Sequence, residues 1–222
     1  MTEFHGRFPG GFAWMARPDE FMERSSTAFA ENGRVWLIDP VRSEGVEDEV
    51  AALGKVAAIV MSVGWHDRDV DWYAAMYGVP VYAHASLRLV DVHSPVERIQ
   101  DRVPNSPLHA IPCGGRGLLK WWGETAIWWP EHRALVAGDA LGTASYFVQP
   151  GEQVAVHPFR RLSPPVALRS LPVERLYVGH GRSLATDAAA QVQRAIDNAG
   201  RDVPRALWYS LTSTAGFFTG RR

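Results

Sequence analysis

Apolar and polar positions along the chain fall into short, punctuated blocks. In the first third, "GFAWMARPDEF", "SSTAFAEN" and "RVWLIDP" carry the β-branched and aromatic content of strands, and Asn32-Gly33 between the last two is a strong hairpin signal. "GVEDEVAALG" switches to a helical period and stops at Gly54, a C-cap position. "VAAIVMSV" is continuously apolar, as expected of a strand buried on both faces. A second short helix is expected in "DVDWYAAMYG", capped by Asp69 and ended by Gly78, followed by a strand in "VPVYAHA". This strand–helix–strand order predicts an α/β layer.

Residues 86–110 are rich in proline and polar groups and read as irregular. Three further strands are expected in "GLLKWWG", "TAIWWPEH" and "RALVAGDA", with tight turns at Gly123-Glu124 and at 130–132. Residues 142–160 read as a loop. "SPPVALRSL" is predicted as a helix with a proline start and "VERLYVGHG" as a strand. "TDAAAQVQRAIDNAG" is predicted as a helix capped at both ends, "VPRALWYSLTS" as a final helix and the terminal "GRR" as a solvated basic end.

Composition narrows the function classes. The 222 residues hold no linker or repeat, so a single domain over 1–222 is expected. A net charge of −1 gives no electrostatic reason for nucleic acid or an anionic membrane as partner. No apolar run approaches the ~20 residues that span a bilayer, and the N-terminus lacks a secretory pattern, so a cytoplasmic location follows by default. The one cysteine, Cys113, excludes an internal disulfide and a multi-thiolate zinc site. Nine tryptophans are unevenly placed, with adjacent pairs at Trp121-Trp122 and Trp128-Trp129. Within a strand, one member of each pair would face the core while the other covers another layer. An aromatic substrate wall and a homodimer contact are other uses for them.

Three apolar strands stop abruptly in polar residues: "VAAIVMSV" before "GWHDRD", "RALVA" before "GDAL", and "RLYV" before "GHGRS". In open α/β sheets, functional groups gather at such strand ends. Each end offers a glycine and a metal-capable side chain: Asp67, Asp139 and His180. Taken singly, an aspartate there is usually a turn former or helix cap, and a lone histidine a hydrogen-bonded group. Three such ends in one chain are more specific.

Read together, "VWLIDP", "IVMSVGWHDRD", "VPVYAHA", "ALVAGDAL" and "LYVGHG" resemble the metallo-β-lactamase fold superfamily, which includes glyoxalase II-like hydrolases, over roughly residues 30–185. The resemblance implies a four-layer αββα sandwich with its site at one edge of the paired sheets. The signature loop of that family runs histidine, any residue, histidine, any residue, aspartate, histidine after a threonine. In this chain Ser62 takes the threonine place, Val63 and Trp65 the first two histidines, Asp67 the aspartate and Arg68 the last histidine. A further histidine of the family falls within "PCGGRG", at Gly115 or a neighbour. Val63, Trp65 and Gly115 offer no lone pair to zinc, which argues against a two-metal centre.

The ligands of the second site implied by the resemblance, Asp67, Asp139 and His180, are all present. They could hold at most one divalent ion, zinc first, with iron or manganese as alternatives. His66 and Asp67 are the candidate catalytic residues, and His66 could serve as a spare ligand, as a general base, or as the missing histidine of Trp65 slipped by one position. A mononuclear metallohydrolase would cleave an ester, thioester or amide of a small-molecule substrate by metal-bound water. The other reading is a metal-free, non-catalytic member of the fold that binds a small molecule or a protein. There Asp67 caps a helix, Asp139 holds its turn, and Arg68 neutralises both carboxylates. No G-x-S-x-G pattern points to a serine nucleophile, Cys113 reads as an inert small residue, and "GGRG" is too short for a phosphate loop.

Overall fold

The computed structural model describes residues 1–201 and 203–219, so the terminal "GRR" lies outside the described residues. Seven strands form one sheet in chain order: β1 (Glu3–Phe8), β2 (Gly11–Met15), β3 (Ser25–Glu31), β4 (Arg34–Ile38), β5 (Lys55–Met61), β6 (Val81–His84) and β7 (Val96–Ile99). The first four pair antiparallel, and β4 through β7 pair parallel. Asn32 and Gly33, at φ 51° and 73°, make the β3–β4 turn, a conformation that favours asparagine and glycine. The parallel crossovers carry α1 (Val46–Leu53) and α2 (Val70–Tyr77).

The second sheet has the order β13-β10-β9-β8, with β8 (His109–Pro112), β9 (Thr125–Trp129), β10 (Ala134–Ala137) and β13 (Arg175–Val178). A two-stranded ribbon, β11 (Leu141–Gly142) with β12 (Ala155–Val156), lies between β10 and β13 in sequence. Two helices follow, α3 (Ala188–Asn198) and α4 (Val203–Thr219).

The apolar residues sort into layers as an αββα sandwich requires. Phe29, Trp36, Val60, Ile127, Trp129 and Val136 meet in a core shared by the two sheets. Alternate residues of β5 point the other way, Ile59 and Met61 packing with Val46, Val50 and Tyr73 of α1 and α2. On the far side of the second sheet, Leu135, Ala137 and Leu176 pack with Val192 and Ile196 of α3. Trp128 and Trp129 divide between two of these cores, as neighbours on a strand must. β5 is thus buried on both faces by two different layers, which explains its unbroken apolar run.

Several local expectations change. β1 was hidden because His5, Gly6 and Arg7 break its pattern, and β7 because its middle residues Glu97 and Arg98 are exposed on an outer strand. The strand expected in "GLLKWWG" is a 3-10 turn at Gly117–Leu119, entered through Gly117 at φ 60°. Its place beside β9 is taken by β8. "SPPVALRSL" yields only a 3-10 turn, Val166–Leu168. Asp69 sits at the N-cap of α2, but its carboxylate accepts from the Arg42 backbone N–H (2.7 Å) rather than from the helix. Asp187 precedes α3 without a side-chain cap, and Ala199 rather than Gly200 is the C-cap residue.

Candidate metal centre

Four strands, β4, β5, β10 and β13, end at one edge of the sandwich, and the polar residues just beyond them meet there. Asp39 follows β4, His66 lies in the loop after β5, Asp139 follows β10 and His180 follows β13. Each is nine-tenths or more buried. One donor atom from each of His66, Asp139 and His180 lies within 4.8 Å of the other two.

Both imidazoles face the same carboxylate oxygen. Asp139 Oδ1 is 3.1 Å from His66 Nε2 and 3.0 Å from His180 Nε2. The opposite nitrogens are already committed. His180 Nδ1 lies 2.7 Å from the Met22 carbonyl, which can only accept, so Nδ1 carries the proton. His66 Nδ1 donates to Asp39 Oδ2 (2.9 Å). Asp39 is itself fixed by the backbone N–H of Ser62 (2.8 Å) and by its hydroxyl. In the neutral rings both Nε2 lone pairs therefore converge on a carboxylate lone pair. Three acceptors pointing at one another require a positive charge between them, whether protons or a metal cation.

This donor set fits a divalent metal: two imidazole nitrogens and a carboxylate oxygen, with each ring oriented by an acceptor on its far nitrogen. Burial pushes the Asp139 carboxyl up, but the two histidines more than reverse this and hold it well below the usual carboxylate range. Burial and the Arg68 charge depress His66, but Asp139 and Asp39 outweigh them and its pKa is raised. Burial depresses His180 despite its bond to Asp139.

Asp139 is held from two further directions. Its second oxygen accepts from the indole N–H of Trp65 (2.9 Å). Its turn is held by Glu124, whose Oε1 accepts from the backbone N–H groups of Asp139 (2.9 Å) and Ala140 (2.6 Å). Glu124 Oε2 accepts from Trp122 Nε1 (3.2 Å) and from Arg160 (2.9 Å). Glu124 and Arg160 form a fully buried ion pair, yet burial still pushes the Glu124 carboxyl up to about 7. Gly179 permits the close approach of β10 and β13: a Cβ there would stand 2.6 Å from the Gly138 carbonyl and 3.1 Å from the His66 ring.

Of the residues singled out in the sequence, the fold brings Asp139, His180 and His66 together. Asp67 lines the same cavity, half-buried and outside the cluster. Arg68 does not lie between carboxylates. Its guanidinium donates to three backbone carbonyls, Ser25 (2.5 Å), Asp39 (3.0 Å) and Gly179 (3.0 Å), knitting β3, β4 and β13 together under the site. Val63 is fully buried, and Trp65 stands edge-on to Trp122 at 5.1 Å.

Sequence reasoning missed Asp39, Glu124, Tyr146 and His157. Asp39 met the same strand-end criterion in "VWLIDP", whereas Glu124 resembled an ordinary turn residue. His157 stands 4.8 Å from the Trp122 ring, and burial lowers its pKa to about 4. The cavity above the centre has a volume of about 920 Å³ and is lined by Trp65, Trp121, Trp122, Tyr146, His157 and Phe159 among others.

The chain matches no family sequence model and no curated protein. Its backbone nevertheless matches solved metallo-β-lactamases along nearly its whole length. The DIM-1 metallo-β-lactamase, in a crystal exposed to ceftazidime, aligns over 89% of this chain and 97% of its own, with a TM-score of 0.61 at 12% identity. FIM-1 from Pseudomonas aeruginosa, in its mono-zinc form, aligns over 90% and 96%, with a TM-score of 0.56 at 13% identity. The metallo-β-lactamase from Erythrobacter litoralis, holding β-mercaptoethanol in its active site, aligns over 89% and 96%, with a TM-score of 0.58 at 11% identity. The protein has the metallo-β-lactamase fold. Among the described residues no helix is long and apolar enough to cross a membrane.

Proposed function

We propose that the protein is a mononuclear metallohydrolase whose single divalent ion, zinc first, is held by His66, Asp139 and His180. The observation that carries this reading is the pair of imidazole Nε2 atoms at 3.1 and 3.0 Å from one carboxylate oxygen, with both Nδ1 atoms already donating elsewhere. A bound cation would supply a Lewis acid that polarises a substrate carbonyl and acidifies water at neutral pH. The protein's own groups prepare the rest. Asp39 keeps the proton on His66 Nδ1 and aims the ring. Trp65 and Glu124 fix the Asp139 carboxylate and its turn. Asp67, at the cavity wall outside the cluster, is the carboxylate free to accept a proton from water. The substrate class is an ester, thioester or amide. A fold-mate, FIM-1, is known with one zinc, which supports a mononuclear site as workable on this architecture.

The test is metal content and zinc-dependent thermal stability of protein prepared without chelator. One equivalent of metal is expected in the parent and in Asp67→Asn, but none in Asp139→Asn or His66→Asn. Metal retained in Asp139→Asn, or no metal and no zinc-induced rise in Tm in the parent, overturns the proposal. The latter outcome favours a metal-free binding protein in which protons neutralise the centre.

A further inference from the structure

One wall of the cavity above the metal centre is a connected run of aromatic rings. Trp65 lies 6.1 Å from Trp121 and 5.1 Å from Trp122; Trp122 lies 4.8 Å from His157, and His157 5.6 Å from Phe159. At its outer end this wall is not covered by the protein: Trp121 is 61% exposed and Phe159 68%. Both residues line the cavity, so the exposed apolar surface is continuous with the site rather than a separate patch. The segments that carry them are hydrogen-bonded to each other. The Arg116 backbone N–H donates to Ser163 Oγ (2.8 Å), and Arg160 reaches across to the Cys113 carbonyl (2.6 Å). Contiguous aromatic surface held open beside a polar centre is the pattern of a ligand wall.

Charge gives the cavity no comparable preference. Four arginines and four acidic residues line it. Several of these are already partnered: Arg24 pairs with Glu20 (2.9 Å), Arg42 stacks over the Trp72 ring (4.0 Å), and Arg68 is spent on carbonyls. The remaining feature that points to a ligand is Tyr146. It lines the cavity at 6% exposure, 5.9 Å ring to ring from His180, and its buried hydroxyl has no hydrogen-bond partner among the described residues. A buried hydroxyl without a partner is costly, and an oxygen acceptor on a ligand would satisfy it.

We propose, building on the metallohydrolase reading, that the substrate carries an uncharged aromatic ring beside its scissile carbonyl, with the ring against Trp121 and Phe159 and the carbonyl oxygen at the Tyr146 hydroxyl. The wall then supplies the selectivity, and Tyr146 orients the carbonyl toward the centre. Neither contact needs the metal, so binding can be read without turnover.

The test is a ligand-observed NMR titration of metal-free and zinc-loaded protein with 2-phenylacetamide, acetamide and phenylacetate. 2-Phenylacetamide is expected to bind about tenfold or more tightly than acetamide in both forms, the ring contributing most of the difference. Trp121→Ala and Phe159→Ala should each reduce that preference severalfold, and both residues are exposed enough for the fold to tolerate their loss. Tyr146→Phe, which keeps the ring, should weaken both amides by about threefold to tenfold. Equal affinity for the two amides, indifference to both wall variants, or a tenfold preference for phenylacetate over 2-phenylacetamide each overturns the proposal. Because the amides are read in metal-free protein, failure of the metal-content test and failure of this one are separate outcomes.

Discussion

The Glu124–Arg160 pair offers a sharp energetic test, because both side chains are fully buried and both are tied to the site. Glu124 receives four donors: the backbone N–H groups of Asp139 and Ala140, the Trp122 indole and the Arg160 guanidinium. Replacing Arg160 by Met removes one of these donors and, with it, a full positive charge bonded to the carboxylate. Breaking a buried ion pair from one side costs about 3–5 kcal/mol. Glu124 keeps three donors, so the lower end, about 3 kcal/mol, is expected at pH 8, or a Tm fall of roughly 6–12 °C for a chain of this size. The cost should depend on pH. Burial already raises Glu124 to about 7 against an ordinary 4.5, and losing the guanidinium raises it further. The folded state then keeps a proton that the unfolded state releases above pH 4.5, so stability falls as pH rises through that window. Arg160→Met should therefore cost less at pH 5 than at pH 8. The double variant Arg160→Met/Glu124→Gln, which leaves no unpaired charge, should recover part of the loss. Differential scanning calorimetry of metal-free protein at the two pH values measures all of this. A shift within about 3 °C at pH 8, or a cost larger at pH 5, would refute the reasoning.

Gly179→Ala should destabilise the fold and weaken zinc binding together, because the added methyl meets the Gly138 carbonyl at 2.6 Å and the His66 ring at 3.1 Å; unchanged Tm and zinc affinity would count against the close approach. His5 and His157 are both lowered by burial to about 4 from an ordinary 6.5. The unfolded chain takes up protons between those values while the folded chain does not, so their contribution to stability is lost as pH falls from 6.5 towards 4. The urea midpoint of metal-free His5→Gln/His157→Gln should accordingly drop less between pH 7 and pH 5 than that of the parent, and an equal drop would exclude this origin.

Much of the architecture could be read from the chain because local and global preferences agree there. β4, α1, β5, α2 and β6 each carry their own punctuation, from Asn32-Gly33 through Gly54 to Gly78. Elements that depend on distant partners were not legible. β8 is a strand because β9 accepts it, not because "HAIP" has a strong pattern of its own. Conversely, "GLLKWWG" has strand-like composition, but Arg116 is tied to Ser163, and Trp122 turns inward to Glu124, which leaves Trp121 at the cavity mouth.

The centre itself shows where periodic reasoning ends. Along β5 each side chain's direction follows from a period of two, but beyond Met61 the chain bends and that rule lapses. Which of Trp65, His66 and Asp67 faces the centre is then decided by contacts the loop makes elsewhere. Arg68 is the anchor: at φ 41° it binds the carbonyls of Ser25 at the start of β3, Asp39 just beyond β4 and Gly179 just beyond β13, and so bridges the two sheets. With Arg68 fixed and Ser62 bonded to Asp39, the residues between them have little freedom. His66 then falls between Asp39 and Asp139, Trp65 reaches the outer oxygen of Asp139, and Asp67 is left at the cavity wall. Arg68 thus accounts for a cluster built from His66: a guanidinium bonded across both sheets positions the loop, so the donor atoms of His66, Asp139 and His180 are brought together by the fold itself, as the proposed metal site requires.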